Sequence, residues 1–303
     1  MGSSVPDSDS TIDRARRTLD EELRDAGVPD AQTASTWILC YVTGLDSTGL
    51  IVHGDDLLTE DQRQIARECY ERRVAGEPLQ YIVGSAPFRF IELKTRRGVF
   101  IPRPETEVLV DEALSMLDRM RRDGLVDGPP RILDLCCGSG TIALSIASEV
   151  PDADVVAVDV SPSAVELTRE NSKSVGVEDR VEVLEGDLFS PLGAGESFHL
   201  VLSNPPYVPQ DKLAVMPHEV VDWEPVAALD GGPDGLDIFR RILDGIDKHL
   251  VPGGYLICEL DEDMLDESSR LCNAAGDGKM FCESKVVKDL TGRDRILRAR
   301  RSF

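Results

Sequence analysis

A regular alternation of short apolar runs and helical patterns from Arg131 onwards is the feature that most constrains the fold. Apolar runs at 132–135, 155–158, 181–184, 200–202 and 255–260 have the length of buried strands. Helical patterns lie between them, at 141–148, 162–174 and 236–250. Strands and helices that alternate in this way form a doubly wound, mainly parallel α/β sheet. The tail, 285–300, is predicted to add a final antiparallel hairpin around Gly292.

The first part of the chain is predicted to form a separate helical region. Apolar residues recur at helical spacing at 12, 15, 19 and 23, and again at 37, 38, 41 and 42. Thr59 followed by Gln62 fits a capping box that opens a helix at 60–73. We therefore predict a domain of roughly four helices at 11–85, preceded by a polar, disordered tail at 1–10.

The segment 86–103 is predicted to be a β-hairpin that links the helical region to the α/β domain. Its strands are expected at 88–93 and 99–101, on either side of a turn at 94–98. A helix should begin just after it, because Pro104 suits a first helical turn and Glu105 suits the positive end of the helix dipole. The α/β domain is then expected to occupy 104–303.

The charge and hydropathy of the chain exclude several classes of function. The net charge is −23 and the isoelectric point is near 4.5, which opposes binding to a phosphate backbone, so we expect no nucleic-acid partner. No stretch approaches the ~20 apolar residues that cross a bilayer, and the acidic N-terminus lacks signal-peptide features. We expect a cytoplasmic, monomeric protein without a membrane partner. Acidic residues are spread along the chain, which favours a salt-adapted surface over a basic docking partner.

The seven cysteines do not indicate a metal centre. Cys136 and Cys137 are adjacent, no second pair has zinc-site spacing, and several of the other cysteines fall in apolar runs. We predict reduced thiols and no metal.

A glycine turn after the first strand predicts a cofactor site. The run from Asp134 to Gly140 places small residues between a strand and a helix, where the backbone can approach a ligand closely. The second strand ends in Asp159, whose carboxylate can accept hydrogen bonds from ribose hydroxyls, or else cap the next helix in competition with Ser161. Asp187 follows the third strand, where an acid can accept a bond from an adenine amino group. Asp134 has an alternative role as a strand-end acid satisfied by backbone amides.

The turn alone does not decide between cofactors. Dinucleotide sites usually read GxGxxG, and here Ala143 stands at the third glycine position, three residues after Gly140, while Cys136 takes the place of a glycine earlier in the turn. Alanine still permits close packing, so NAD stays open at this point.

The fourth strand runs directly into Asn204-Pro205-Pro206-Tyr207, which predicts a slot for a planar NH2 group. The prolines fix the backbone and leave their carbonyls free to accept, while Asn204 adds a side-chain oxygen. Tyr207 offers a flat face. Methyl transfer is an in-line displacement in which orientation supplies much of the rate, so the motif favours methylation of an amide or amino nitrogen. The alternative is a rigid turn without chemistry.

These motifs together resemble the class I methyltransferases that act on amino nitrogens. The segments 73–84, 101–107 and 288–295 narrow the resemblance to the HemK-type release-factor glutamine N5-methyltransferases. The resemblance covers 70–300 well and the first 70 residues loosely. Three features depart from the family pattern. Cys136 replaces the usual first glycine, Glu259-Leu260-Asp261 replaces a Glu-x-Gly sequence, and Ala34 or Ser35 stands where the N-terminal helices often carry an aspartate.

The resemblance implies a Rossmann-like class I methyltransferase sheet, S-adenosylmethionine as cofactor and the glutamine of the Gly-Gly-Gln loop of peptide-chain release factors as substrate. The helical domain would help to dock that partner. The glutamine side chain would lie in Asn204, Pro205, Pro206 and Tyr207. Residues at the substrate entrance would be Phe100, Pro102, Arg103 and Glu105. The cofactor would contact Asp134, Cys136, Cys137, Gly138, Ser139, Gly140, Asp159, Asp187, Leu188 and Asn204.

Three other functions fit parts of the pattern. A glutamine of a large-subunit ribosomal protein is one alternative substrate, and Cys136 is shared with enzymes of that kind. An adenine or cytosine amino group of nucleic acid would suit the same slot chemistry, although the charge opposes it. A cofactor-binding scaffold without activity is the third alternative, and methyl transfer by the isolated chain would separate it from an enzyme.

Overall fold

The computed structural model describes residues 10–303, which form helices throughout the first part and alternating strands and helices thereafter. The helices are, in chain order, Ile12–Asp25 (α1), Ala31–Thr43 (α2), Ser47–Val52 (α3), Glu60–Val74 (α4), Leu79–Val83 (α5), Glu107–Arg122 (α6), Thr141–Glu149 (α7), Pro162–Val175 (α8), Gln210–Leu213 (α9), His218–Val221 (α10), Asp237–Gly245 (α11) and Leu265–Gly278 (α12). The strands are Ser85–Phe88 (β1), Ile91–Lys94 (β2), Arg131–Leu135 (β3), Asp154–Asp159 (β4), Val181–Glu185 (β5), Phe198–Ser203 (β6), Leu250–Glu259 (β7), Phe281–Lys288 (β8) and Asp294–Arg301 (β9).

The helical unit consists of the described residues up to Ser85 and the short segment His218–Trp223. Its core is built by the apolar faces of α1 and α2, where Leu19, Leu23, Ile38 and Leu39 are fully buried. The amphipathic spacing that predicted these helices follows from this packing. Residues 10–84 contain five helices rather than the roughly four that we predicted, because α5 is too short to show a periodic pattern.

The predicted capping box at the start of α4 is confirmed. The hydroxyl of Thr59 accepts a hydrogen bond from the backbone N–H of Gln62, and the Gln62 side chain accepts one from the Thr59 N–H. Two backbone donors at the helix start are thereby satisfied. Ser10, which we assigned to a disordered tail, is buried, and its carbonyl accepts a bond from Leu58. The rest of that predicted tail, 1–9, lies outside the described residues.

Arg73 holds the later segment within the helical unit. Its side chain is only 3% exposed and forms ion pairs with Asp30 (2.8 Å) and with Glu219 of α10 (3.1 Å). Its guanidinium also donates to the Glu77 carbonyl. A buried charge needs such partners, so Arg73 explains why 218–223 belongs with this unit.

The second unit contains a seven-stranded sheet of order β5-β4-β3-β6-β7-β9-β8. Strands β3 to β7 are parallel, and β9 runs antiparallel to both β7 and β8. The predicted mainly parallel sheet with a final hairpin is confirmed. Alternate residues of each strand face opposite sides, so Ile132 packs in one apolar cluster and Leu133 in the other. Helices α6 and α7 contribute to the first cluster, and α11 and α12 to the second.

The hairpin predicted at 86–103 is present, but its strands and its turn lie at other positions than we predicted. The two strands are Ser85–Phe88 and Ile91–Lys94, and Val99 and Ile101 are buried without forming a strand. The turn falls at Arg89 and Phe90, inside the run that we had predicted as one strand.

Tertiary contacts of Arg89 explain this shift. Its backbone has a φ of 51°, which is unfavourable for a residue with a side chain. Its N–H donates to Glu107, and its guanidinium pairs with Glu149 (2.6 Å) and Asp111 (2.7 Å). These partners lie far along the chain, so local sequence did not reveal the turn.

The helix predicted at 236–250 also ends earlier than expected. Helix α11 stops at Gly245, a short 3-10 turn follows at Ile246–Lys248, and β7 begins at Leu250. Ile246 and Leu250 are both buried in the same apolar cluster, so their spacing continues the helical pattern after the helix has ended.

Neither a membrane-spanning helix nor a metal-binding cluster is found within residues 10–303. No helix within residues 10–303 is long and apolar enough to cross a membrane. All seven cysteines are free thiols. Residues 10–303 contain no cluster of His, Cys, Asp or Glu side chains that could hold a metal ion.

Candidate active site

The predicted site residues gather at the carboxyl ends of the parallel strands. In the sheet, Leu135 is level with Val158 on one side and with Ser203 on the other, and Ser203 is level with Cys258. The ends of β4, β3, β6 and β7 therefore form one edge. Asp159 and Asn204 lie at β4 and β6, which are separated by β3. Adjacent strands are ~4.8 Å apart, so these two residues are roughly 10 Å apart along the edge.

The glycine turn between β3 and α7 is anchored from helix α8. The hydroxyl of Thr168 donates to the Gly138 carbonyl (2.9 Å), and the Asn171 side chain donates to the Ser139 carbonyl (2.9 Å). Thr168 and Asn171 are both fully buried. These bonds fix the turn before any ligand binds. The turn therefore loses less conformational entropy when a ligand binds.

The two glycines of this turn have different surroundings. Both have positive φ, 58° at Gly138 and 86° at Gly140. A methyl group at Gly140 would lie 2.8 Å from Leu144 and 2.9 Å from Thr168. One at Gly138 would meet no atom of residues 10–303 within 4 Å, apart from its two chain neighbours. Gly140 is therefore required for packing, and Gly138 borders open space that a ligand can occupy. Cys136 also has positive φ, 61°, although it carries a side chain.

We expect alanine substitutions to separate these two roles. Gly140→Ala should destabilise the fold by about 2–5 kcal/mol, since left-handed backbone costs about 1–2 kcal/mol and overpacking about 1–3 kcal/mol. Gly138→Ala should cost only the backbone share and should instead weaken cofactor binding. Thermal unfolding without cofactor and calorimetric titration on both variants provide the measurement. Equal losses of melting temperature in the two variants would refute the distinction.

Asp159 is oriented by two backbone amides and keeps spare acceptor capacity. One carboxylate oxygen accepts from Gly138 N–H (2.8 Å) and the other from Ser161 N–H (2.9 Å). Burial raises the pKa of Asp159, while these two bonds lower it. A carboxylate can accept about four bonds, so this half-buried group retains two positions for ribose hydroxyls. The cap of α8 is Ser161, which accepts from Ala164 N–H.

The Asp134 carboxylate agrees only in part with the alternative of a strand-end acid satisfied by backbone amides. It is fully buried, and one oxygen accepts a bond from Ala143 N–H (3.0 Å) in the first turn of α7. Its other oxygen has no partner among residues 10–303. Burial and the nearby Asp159 raise the pKa of Asp134 to about 8. The direct contact with the cofactor stays a prediction, and the structure gives Asp134 a role in joining the strand to the helix.

Asp187 and Leu188 lie after β5, at the far end of the same edge. Asp187 is exposed, and one oxygen pairs with Arg241 (2.5 Å). Leu188 is buried with a φ of 50°. The ion pair keeps the Asp187 carboxylate in place, and no donor among residues 10–303 bonds to its second oxygen, which can therefore accept from a ligand.

The Asn204–Tyr207 segment has the acceptors that the sequence predicted. The Asn204 side-chain N–H donates to the Thr106 hydroxyl (3.2 Å). Within the described part of the chain, no donor reaches the Asn204 side-chain oxygen or the Pro205 carbonyl. Pro205 is buried, and Pro206 is half-buried. Tyr207 is half-buried, and burial raises its pKa, so the phenol stays neutral at physiological pH.

A glycine-rich loop clamps the backbone beyond the slot. Val208 donates to the Leu229 carbonyl (2.8 Å) and accepts from Gly231 (2.9 Å). A side chain at Gly231 would come within 2.7 Å of the Tyr207 α-carbon, and one at Gly235 within 2.4 Å of the Tyr207 carbonyl oxygen. Only glycine permits this approach.

One of the predicted entrance residues, Arg103, pairs with a buried carboxylate. The Arg103 guanidinium lies 4.9 Å from the centre of the Phe100 ring and forms an ion pair with Glu224. Glu224 is 4% exposed and also accepts from Ile101 N–H (3.2 Å). Pro102 is buried, whereas Glu105 is exposed. Phe100 and Arg103 thus belong to one contact group, and Glu224 was not among our predicted site residues.

Sequence analysis also missed Thr106 and Glu259. Glu259 is 2% exposed at the end of β7, level with the residue that follows β6. Burial raises its pKa to about 7, while the Thr106 hydroxyl acts on the pKa in the opposite direction. The sequence did carry a signal for Glu259, because an acidic residue ends an apolar strand there, as Asp159 does in β4.

Comparison with known proteins agrees with this geometry. Residues 14–84 match the family model of the PrmC N-terminal domain, and residues 93–221 match that of the methyltransferase small domain. The crystal structure of a methyltransferase from Pyrococcus furiosus is 17% identical, with a TM-score of 0.50 over 79% of this chain and 98% of that one. At this identity the likeness supports the fold alone.

Curated relatives have a higher sequence identity to this chain. The release factor glutamine methyltransferase of Geobacter sulfurreducens is 37% identical over 278 residues, which cover 92% of each chain. That of Bifidobacterium longum is 38% identical over 288 residues, which cover 91% of this chain and 95% of the relative. Identity at this level across both units, together with the strand-end site, shows that the chain belongs to the release factor glutamine methyltransferase family.

Proposed function

We propose that this protein transfers a methyl group from S-adenosylmethionine to the side-chain nitrogen N5 of the glutamine in the Gly-Gly-Gln loop of peptide-chain release factors. One observation carries the proposal. Among residues 10–303, no donor bonds to the Asn204 side-chain oxygen or to the Pro205 carbonyl, which lie at the carboxyl edge of the sheet beside the glycine turn.

The slot suits a primary amide better than other nucleophiles. Its two acceptors match the two hydrogens of one NH2 group, and the Tyr207 ring covers one face. An amide nitrogen is a weak nucleophile because its lone pair is delocalised. Two acceptors that hold its hydrogens favour a pyramidal nitrogen, and this stabilises the transition state more than the ground state.

The glycine turn and its neighbours fit S-adenosylmethionine. The open space at Gly138 admits a ligand against the backbone, and Asp159 has two acceptor positions left for ribose hydroxyls. Asp187 lies one strand further, where an adenine amino group would reach it. When bound there, S-adenosylmethionine supplies an electrophilic methyl group on a sulfonium. The roughly 10 Å between Asp159 and Asn204 separates the nucleoside from the reacting nitrogen.

The helical unit is proposed to recognise the release factor. A free glutamine offers too little binding energy to orient its own amide, so remote contacts with the protein substrate must supply it. The division of labour assigns docking to 11–85 and chemistry to 104–303. The net charge of −23 also disfavours nucleic acid as the substrate.

Incubation with labelled S-adenosylmethionine tests this proposal. The panel should contain purified release factors, large-subunit ribosomal proteins and single-stranded nucleic acid, and mass spectrometry should locate the label. We expect label on one glutamine of the release factors and none on a release factor whose loop glutamine is replaced by glutamate. Label on a ribosomal protein or on nucleic acid would instead support one of the two alternative substrates.

A further inference from the structure

We infer that Thr106 and Glu259 form a hydrogen-bond relay that sets which way the Asn204 side-chain amide faces. This inference rests on the proposed function, since it concerns how the slot is prepared for the substrate amide. It makes Thr106 and Glu259 positioning residues that act through Asn204.

The three side chains come together where β6 and β7 end. Asn204 donates from its side-chain nitrogen to the Thr106 hydroxyl oxygen (3.2 Å). Glu259 ends β7 level with Asn204; burial raises the pKa of its carboxyl and the Thr106 hydroxyl lowers it, as a donor to that carboxylate does. Thr106 is 3% exposed and Glu259 is 2% exposed, so water does not compete for these bonds. Thr106 is itself held by a backbone bond from its N–H to the Arg103 carbonyl (3.1 Å).

The hydrogen count of the relay fixes its direction. An ionised carboxylate can only accept hydrogen bonds, so Thr106 must give its single hydroxyl hydrogen to Glu259. The Thr106 oxygen is then an acceptor towards Asn204. Only the amide nitrogen of Asn204 can donate to it. The side-chain oxygen of Asn204 must therefore face away from Thr106, towards the slot.

Without the relay, Asn204 would have two orientations of nearly equal shape. Rotation by half a turn exchanges its oxygen and nitrogen, which are almost the same size. The rotated amide would present its own NH2 to the substrate NH2, and two donors cannot bond to each other. The rotated form would therefore bind glutamine poorly and would not orient its nitrogen.

Protonation of Glu259 should release this constraint. A protonated carboxyl can donate to Thr106, and the Thr106 hydrogen is then free to bond to the Asn204 oxygen. Burial raises the pKa of Glu259 to about 7. The productive form is the ionised one, so the methylation rate should rise as pH increases through about 7 and fall below it. The charged and titratable groups around Glu259 are Arg103, Glu105, Tyr207 and Arg295, and Asp261 acts on the neighbouring Tyr207.

Three isosteric or conservative variants test the relay. Thr106→Val should lower the single-turnover rate on release factor roughly tenfold, which is the expected loss for one buried hydrogen bond that orients a group. Thr106→Ser keeps the hydroxyl and should stay within a few-fold of wild type. Glu259→Gln should remove the step in the pH–rate profile near pH 7, because a side-chain amide does not titrate. Cofactor affinity should be similar in all three.

A substrate-free readout separates this test from the proposed function. In the free protein, the NMR signals of the Asn204 side-chain NH2, assigned by their loss in Asn204→Asp, should shift between pH 6 and pH 8. Glu259→Gln should abolish the shift. An unchanged shift in Glu259→Gln, or a Thr106→Val enzyme as fast as Thr106→Ser, would overturn the relay. Failure of wild type to methylate release factor at any pH would contradict the proposed function, and the NMR titration would still decide on the relay.

Discussion

Replacing Asn204 with alanine is expected to slow methylation roughly 10²–10³-fold and to leave cofactor affinity nearly unchanged. The side-chain oxygen of Asn204 is one of two acceptors that can hold the substrate amide, and the Pro205 carbonyl is the other. Removal of one preorganised partner of the transition state costs this much in comparable sites. The cofactor loses little, because its predicted contacts lie mainly on Asp159 and the glycine turn.

Gln210 provides a matched control. It carries the same amide group six residues further along the chain and is exposed. Its side chain donates to Asp230 (3.2 Å), and its backbone N–H donates to the Gly232 carbonyl. Gln210→Ala should leave the rate within about twofold of wild type, as surface changes usually do. Single-turnover methylation and calorimetric cofactor binding should be measured on one preparation of each variant. An Asn204→Ala enzyme that retains a rate within a few-fold of wild type would reduce the motif to a rigid turn.

Replacing Asp159 with alanine is expected to weaken S-adenosylmethionine binding about 10- to 100-fold. The loss of hydrogen bonds from ribose hydroxyls to a charged acceptor costs about 1.5–3 kcal/mol, and each 1.4 kcal/mol is about a tenfold change. The same carboxylate also holds the N–H groups of Gly138 and Ser161, so the turn would lose an anchor as well. Both effects reduce affinity.

Asp154 is the control for this variant. It is an exposed aspartate at the opposite end of the same strand, β4. Calorimetry of Asp159→Ala and Asp154→Ala against both S-adenosylmethionine and NAD gives the comparison. We expect only Asp159→Ala to lose affinity for S-adenosylmethionine, and NAD to bind weakly throughout. Equal affinities in the two variants, or tighter binding of NAD, would remove Asp159 from the cofactor site.

Local signals in the sequence were sufficient for most of the fold. The Thr59–Gln62 capping box depends on residues three positions apart, and the strands depend on apolar runs bounded by polar turns. The turn at Arg89 escaped because its stability comes from Glu107, Asp111 and Glu149, which are distant in sequence. Positive φ at Arg89 is unusual without such partners, and a pattern of residue types does not show them.

The residues of the candidate site also fall into two groups, those with a local sequence signal and those without one. Asp159 and Asn204 were predicted because each directly follows or ends an apolar strand, and parallel strands bring such ends together. Thr106 reaches Asn204 across 98 positions of the chain, so its part in the site appears only in three dimensions. Glu259 ends β7 and carried a local signal, which we had treated only as a departure from the family pattern.

Pairing of both substrate hydrogens by Asn204 and Pro205 is the central claim, and a crystal structure of the protein with S-adenosylhomocysteine and a release factor tests it most directly. The distances to measure run from the side-chain nitrogen of the loop glutamine to the Asn204 side-chain oxygen and to the Pro205 carbonyl oxygen. We predict that both distances are about 2.7–3.2 Å, with Asn204 still donating to Thr106. A glutamine nitrogen bound away from both oxygens, or facing the side-chain nitrogen of Asn204, would contradict the account.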